Sequence, residues 1–160
     1  RSQTSVPHPS PLISTPMPLS LLLTLLASQS PDAGTPAPPA PPSITVRIGG
    51  FKSDSGKAWV LVFKDDAFPT KRDQAIVSRF VPISGGKATL TFEVTGTEEI
   101  AIAVIHDEND NAKLDTIFIG IPNEGLGSSR DAKGFMGPPK WKDAKVRVSN
   151  GLTLDVPIRY

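Results

Sequence analysis

The sequence predicts an all-β domain: an antiparallel two-sheet β-sandwich of about seven short strands, with one short helix and one long ordered loop. Three observations carry this. Several short runs alternate apolar and polar residues, two others are apolar throughout, and Gly, Pro, Asn or Asp punctuates them at regular spacing. Helical periodicity is nearly absent. A closed barrel is the second architecture that fits such a pattern.

Ile44-Thr45-Val46-Arg47-Ile48 alternates as a strand with one buried face must, and Gly49-Gly50 ends it. Ser53-Asp54-Ser55-Gly56 has turn chemistry. Ala58 to Phe63 is apolar on both faces, which fits a central strand covered on both sides. Asp65 to Pro69 breaks it, and Thr70 to Val77 is expected to form a short helix with Thr70 as N-cap. Phe80 to Ile83 leads into Ser84-Gly85-Gly86, read as a tight hairpin turn. Ala88 to Val94 then alternates again, with Ala88, Leu90, Phe92 and Val94 inward. Glu99 to Ile105 is a second near-continuous apolar strand. Lys145 to Val148 and Leu152 to Ile158 flank Asn150-Gly151, the dipeptide that favours a two-residue hairpin. One long stretch, Asp107 to Asp143, has no periodicity; such loops in compact domains are functional or held by something.

The first forty residues set the expected compartment. Leu19 to Ala27 is an apolar run about half the ~20 residues that a membrane-spanning helix needs, bracketed by Pro16, Pro18 and Pro31. With small residues Ala27 and Ser28 after it, the run reads as the core and cleavage end of a secretory signal peptide, so the product is expected outside the cytoplasm, periplasmic or extracellular. Residues 1–29 are thus taken as leader, 30–42 (ending APPAPP) as an extended Pro-rich linker, and 43–160 as the sandwich, with no membrane span in the mature domain. The 17 Lys and Arg against 16 Asp and Glu leave no global field to favour nucleic acid or an acidic membrane. The absence of Cys excludes disulfides, thiolate metal sites and a Cys nucleophile.

The densest chemistry is HDENDNAKLD, residues 106–115, directly after the second apolar strand. Asp107, Asn109, Asn111 and Asp115 take positions 1, 3, 5 and 9 of a calcium-loop pattern, and the Lys113 carbonyl takes position 7. Alternate spacing turns successive oxygens toward one centre as the loop coils, which suits a structural Ca2+. Two positions depart from the pattern: Ala112 stands where glycine is preferred, and Phe118 where a bidentate Glu would sit. Glu108, Asp110 or Glu124 could supply the missing oxygen. The alternative is an Asx-rich turn that caps its own backbone, or a transition-metal site.

His106 is the one His of the folded part, since His8 lies in the leader. Beside Asp107 it is a candidate base or ligand, though a lone His at a strand end is more often structural. A triad through Ser128 or Ser129 lacks a nucleophile-elbow sequence. The glycines of residues 120–129 fit no phosphate-binding spacing and are expected to allow tight turns. Phe135 and Trp141, among prolines, either stack on a sugar or peptide or pin their loop to the sheet.

HDENDNAKLDTIFIGIPNEGLGSS, GFMGPPKWKDAKV and a final expected hairpin ending in IRY together resemble a bacterial family of secreted proteins, domain-of-unknown-function family 2141. The resemblance runs from about Ile44 to Tyr160 and includes GKAWVLVFKDDAFP. It implies a small sandwich related to transthyretin-like (prealbumin-like) and carbohydrate-binding-like folds, and it implies no activity.

The leading expectation is an exported, non-enzymatic module with a calcium-organised loop that binds a protein or glycan partner, with His106, Glu124, Phe135 and Trp141 near the binding surface. The alternatives are a hydrolytic enzyme using His106 with Asp107 and Asp115, and a structural envelope protein without ligand.

Overall fold

The computed structural model describes residues 39–118 and 120–160; the expected leader and most of the linker lie outside them. The strands are β1 (Ser43–Gly49), β2 (Lys57–Phe63), β3 (Val77–Pro82), β4 (Lys87–Glu93), β5 (Glu99–Asp107), β6 (Leu126–Ser128), β7 (Val146–Arg147) and β8 (Leu152–Pro157). A single-turn helix, α1, spans Trp141–Ala144. The architecture is the two-sheet, all-β one that the alternation predicts, with eight strands among the described residues rather than about seven. Among the described residues no helix is long and apolar enough to cross a membrane.

The smaller sheet has the order β4-β1-β8, and the larger runs β3-β2-β5-β6 with β7 on the far end of β5. Most neighbours are antiparallel, but β8 runs parallel to β1, with Ile44 opposite Leu152 and Ile48 opposite Val156. This corrects the expectation at Asn150-Gly151. The turn is there, with Gly151 in the left-handed region at φ 74°. Its flanking strands do not pair with each other, because β7 pairs with β5 in one sheet and β8 with β1 in the other. Ser84-Gly85-Gly86 behaves the same way. Ser84 and Lys87 exchange backbone hydrogen bonds across it, yet β3 and β4 belong to different sheets. Turn residues fix a local reversal; sheet membership is decided by which faces must be buried.

Those faces explain the layers. Ile44, Val46 and Ile48 of β1 meet Val60, Val62, Ile100, Ile102 and Val104 of β2 and β5 in the core between the sheets. The other faces of β2 and β5 present Leu61, Phe63, Ala101, Ala103 and Ile105, which are buried as well. Among the described residues no third sheet covers them; Phe68, the partly buried Leu114, and Trp141 and Ala144 of α1 do so instead, with Leu126 of β6. The long loop is therefore a packing layer.

The predicted helix at Thr70–Val77 is absent: a single 3-10 turn spans Arg72–Gln74, with Lys71 at its N-cap position. Ile76 and Val77, whose branched side chains suit extended backbone, are drawn to β2 instead. The Ile76 N–H donates to the Val62 carbonyl, and Val77 opposes Val62. The unperiodic stretch also holds β6, whose Leu126 opposes Ile105 and whose Ser128 opposes Ala103. Glycines there serve close approach as well as turns. A Cβ on Gly127 would stand 2.8 Å from the Pro157 carbonyl oxygen.

Two substitutions test this packing. Ile102→Ala, between the sheets, should cost about 2–5 kcal/mol. Gly56→Ala should cost about 2–4 kcal/mol, because its Cβ would fall 1.9 Å from the Asp107 carbonyl oxygen and its φ is +68°. Urea unfolding reads both as a lower midpoint at unchanged slope, and an unaltered midpoint for either would contradict the arrangement.

Candidate functional site

β5 ends in two polar residues that are fully buried, His106 and Asp107. Burial of that kind costs several kcal/mol unless each polar atom finds a partner. Both do. His106 Nε2 lies 2.8 Å from the Ser55 carbonyl oxygen, which can only accept, so Nε2 carries a proton. Nδ1 lies 2.6 Å from the Tyr160 hydroxyl, which itself accepts from the Lys52 N–H at 3.1 Å. The network is complete when the hydroxyl donates to Nδ1. Phe51 packs edge-on against the imidazole, with ring centroids 5.1 Å apart. His106 thus ties the turn before β2, the end of β5 and Tyr160 together. It is fully buried and lines neither of the two cavities bordered by Phe68 and residues 137–139.

Asp107 does for the loop what His106 does for the chain end. One carboxylate oxygen accepts the Asn111 N–H at 2.9 Å and the other the Ala112 N–H at 2.8 Å. The backbone is thereby wound around the carboxylate, and the winding drives Asp110 and Ala112 into the left-handed region at φ 57° and 58°. Glycine is the residue that adopts that conformation without strain, so Ala112 occupies the preferred-glycine position and takes its geometry. The Asn111 side-chain oxygen accepts the Lys113 N–H, and the Asn109 and Asn111 amide groups donate to Asp115 at 2.6 to 3.0 Å.

Of the three acids that could complete an oxygen set, the structure separates two from the third. Glu108 pairs with Lys52 at 2.9 Å and Asp110 with Lys57 at 2.8 Å. Glu124 has no basic partner among the described residues. It is buried, and it accepts the N–H of Asp115 at 3.1 Å and of Glu108 at 3.3 Å, one from each end of the loop. Burial pushes its carboxyl above the usual range; the two N–H groups pull it down, and the charges of Asp115 and Asp107 add to the rise. As placed, no three acidic or His side chains among the described residues converge as a ready metal cluster. The remaining oxygens here are amide and backbone ones, which hard cations accept.

The other predicted residues divide. Trp141 is half-buried against the outer face of β2 and β5, while Phe135 is 92% exposed. Ser128 and Ser129 hold loops in place. Ser128 donates to the Ala132 carbonyl and Ser129 to the Ala144 carbonyl, both at 2.6 Å, and Ser129 also accepts the Ile102 N–H. Ser128 opposes Ala103, three positions along β5 from His106, so the triad that the sequence permits on paper is not assembled. Tyr160 and Ser55, which complete the His106 network, carry no signal in the sequence, because they come from opposite ends of the domain.

Two measurements follow. Ala112→Gly should be neutral or stabilise by up to about 1 kcal/mol, the reverse of the usual sign of an Ala→Gly change, since it relieves a left-handed φ. A clear loss of stability in urea unfolding would contradict the wound loop. Glu124 has a raised folded-state pKa, so its contribution is fully present below the unfolded value and is lost as pH rises through the folded one. In chelator, the stability of the wild type relative to Glu124→Gln should therefore fall as pH rises above the ordinary Glu range. A difference that grows with pH would contradict the burial.

A family model described as an uncharacterized protein conserved in bacteria (DUF2141) matches residues 46–154, a stretch that runs from within β1 to within β8 and takes in the whole acidic loop. No curated protein and no solved structure matches the chain. The chain belongs to the DUF2141 family.

Proposed function

We propose that this chain is an exported, non-catalytic β-sandwich module whose segment from Asp107 to Glu124 closes around one calcium ion. The observation that carries the reading is Glu124, buried without a basic partner among the described residues: burial makes it hard to ionise, and the charges of Asp115, whose N–H it accepts, and of Asp107 add to the rise. Like charges so held are costly, and a divalent cation removes the cost. The donor chemistry supports calcium over magnesium: carboxylates, the Asn109 and Asn111 amides and the Lys113 carbonyl suit six to eight ligands at flexible geometry. Rotating the two amides, which now donate to Asp115, turns their oxygens toward the ion in its place. The apolar run Leu19–Ala27 with its Pro flanks supports export.

Organisation of this loop has a structural purpose. Leu114 and Leu126, on either side of Glu124, cover the outer face of β2 and β5, so an ion at the acidic loop fixes part of the layer that completes the core. What the layer then presents outward is a surface for a partner. A glycan platform has weak support, since Trp141 is packed inward and Phe135 is the open ring of the pair.

Thermal unfolding tests the reading. With few carboxylates, the affinity should resemble that of extracellular modules, so ~10 mM calcium should raise the midpoint by about 5–10 °C, reversibly with chelator. Magnesium should do less, and Asp115→Asn with Glu124→Gln should abolish the rise. No calcium-specific shift would sink the proposal and leave an Asx-rich turn in a structural protein.

A further inference from the structure

β3 ends the larger sheet and β4 the smaller one, so each is paired on one side only. Backbone N–H and C=O groups alternate in direction along a strand, and on such an edge every second residue points them away from the sheet. Among the described residues, Val77 to Pro82 make no backbone–backbone hydrogen bond beyond the pairing with β2. The one side-chain hydrogen bond to their backbone is internal, from the Arg79 guanidinium to the Ser78 carbonyl at 2.9 Å. The two edges differ in what stands beside the open backbone. On β4 the residues that alternate away from the core are Thr89, Thr91 and Glu93. On β3, Val77 and Val81 pack inward, which leaves Ile76, Ser78 and Phe80 on the outer face. Ile76 is 38% and Phe80 41% exposed, and the Phe80 ring is stacked on Trp59 with centroids 5.2 Å apart. A fixed apolar ledge therefore runs along unpaired backbone.

Water satisfies the backbone of such an edge but leaves the two apolar side chains uncovered; an added extended strand serves both. The spacing of the residues selects the strand. When β3 pairs antiparallel with its own copy, one residue sits opposite itself on the two-fold axis. Centred on Arg79, guanidinium faces guanidinium, which is destabilising. Centred on Phe80, the rings meet, but Pro82 is brought into the ladder and Ile76 stays uncovered. Centred on Ser78, Ile76 lies opposite Phe80 and Phe80 opposite Ile76, an aromatic–β-branched pair made twice. Arg79, the one charged residue of β3, then faces Val77. Arg72 and Asp73, of opposite sign, lie in the 3-10 turn before the paired stretch. We propose that this chain forms a two-fold dimer through β3, paired antiparallel about Ser78, which joins the five-stranded sheets of two copies into one. The paired residues, 76–80, include none of those proposed to hold calcium.

Ser78→Cys tests the proposal, because the chain has no other Cys. Residues opposite each other in an antiparallel pair have Cβ atoms about 4.5–5.5 Å apart, which a small adjustment brings into disulfide range. In a glutathione redox buffer, Ser78→Cys should form a covalent dimer at least about tenfold faster than Thr153→Cys, an exposed position on β8. Arg79→Cys should lag as well, since in this register it faces Val77. The chain also carries the apolar run Leu19–Ala27, so mass alone does not locate a contact and the cross-link does. Sedimentation of the full chain should show a concentration-dependent dimer that Ile76→Lys with Phe80→Lys weakens at least about tenfold. Ile76→Lys with Phe80→Glu, which sets opposite charges across the axis, should restore it to within about threefold. Circular dichroism should show both double variants folded, and the cross-link requires neither. Equal cross-linking of Ser78→Cys and Thr153→Cys, or a wild-type monomer up to about 0.5 mM, overturns the proposal. So does a dimer that the double-Lys variant leaves unchanged, which would place the contact elsewhere.

Discussion

β5 is buried on both of its faces from Ile100 to Asp107, and the rest of the structure depends on covering it. One face is met by the smaller sheet. The other has no sheet to meet, and leaving it in water would cost roughly 25 cal/mol for every Å² of apolar surface. The connecting segments must therefore fold over it, and they do so with Phe68, Leu114, Leu126 and Trp141. Irregular backbone laid over a core has polar groups of its own to satisfy. That requirement explains why Asp107, Glu124, Ser128 and Ser129 are buried where this layer meets the sheet, each hydrogen-bonded to it.

The acidic loop shows how far such satisfaction goes. Hydrogen bonds complete every buried side-chain oxygen and nitrogen among the described residues. Charge is another matter. Asp155 meets Arg47, Asp131 meets Arg159 and Glu108 meets Lys52, and each carboxyl is held below the usual range by that contact. Glu124 moves the other way. Backbone N–H groups satisfy a carboxylate's lone pairs without cancelling its charge, and that residue of uncancelled charge is the reason for proposing a cation.

Much of the fold is legible in the sequence, for a physical reason. Side chains alternate strictly across a strand, so Ile44, Val46 and Ile48 against Thr45 and Arg47 announce one buried face, and the unbroken run from Ala58 to Phe63 announces two. Pairing is less legible, because it depends on residues far apart. Asn150-Gly151 names its turn correctly and its partner strands wrongly, since the competing contact between β8 and β1 lies over a hundred positions away in sequence. Ile76 and Val77 are lost from the expected helix to β2 in the same way. At the site, the spacing of Asp107, Asn109, Asn111 and Asp115 marks a coiled loop, and the left-handed Ala112 agrees with it. Which of Glu108, Asp110 and Glu124 stands without a basic partner depends on Lys52 and Lys57, two lysines from the other side of the sheet turn.

Whether a hard cation binds between Asp107 and Glu124 is decided by isothermal titration of chelator-stripped protein with calcium. One site per chain is expected, of about micromolar to millimolar affinity, lost in the Glu124→Gln variant while that variant remains folded. Absence of a saturable heat, or an undiminished isotherm in the variant, would contradict it.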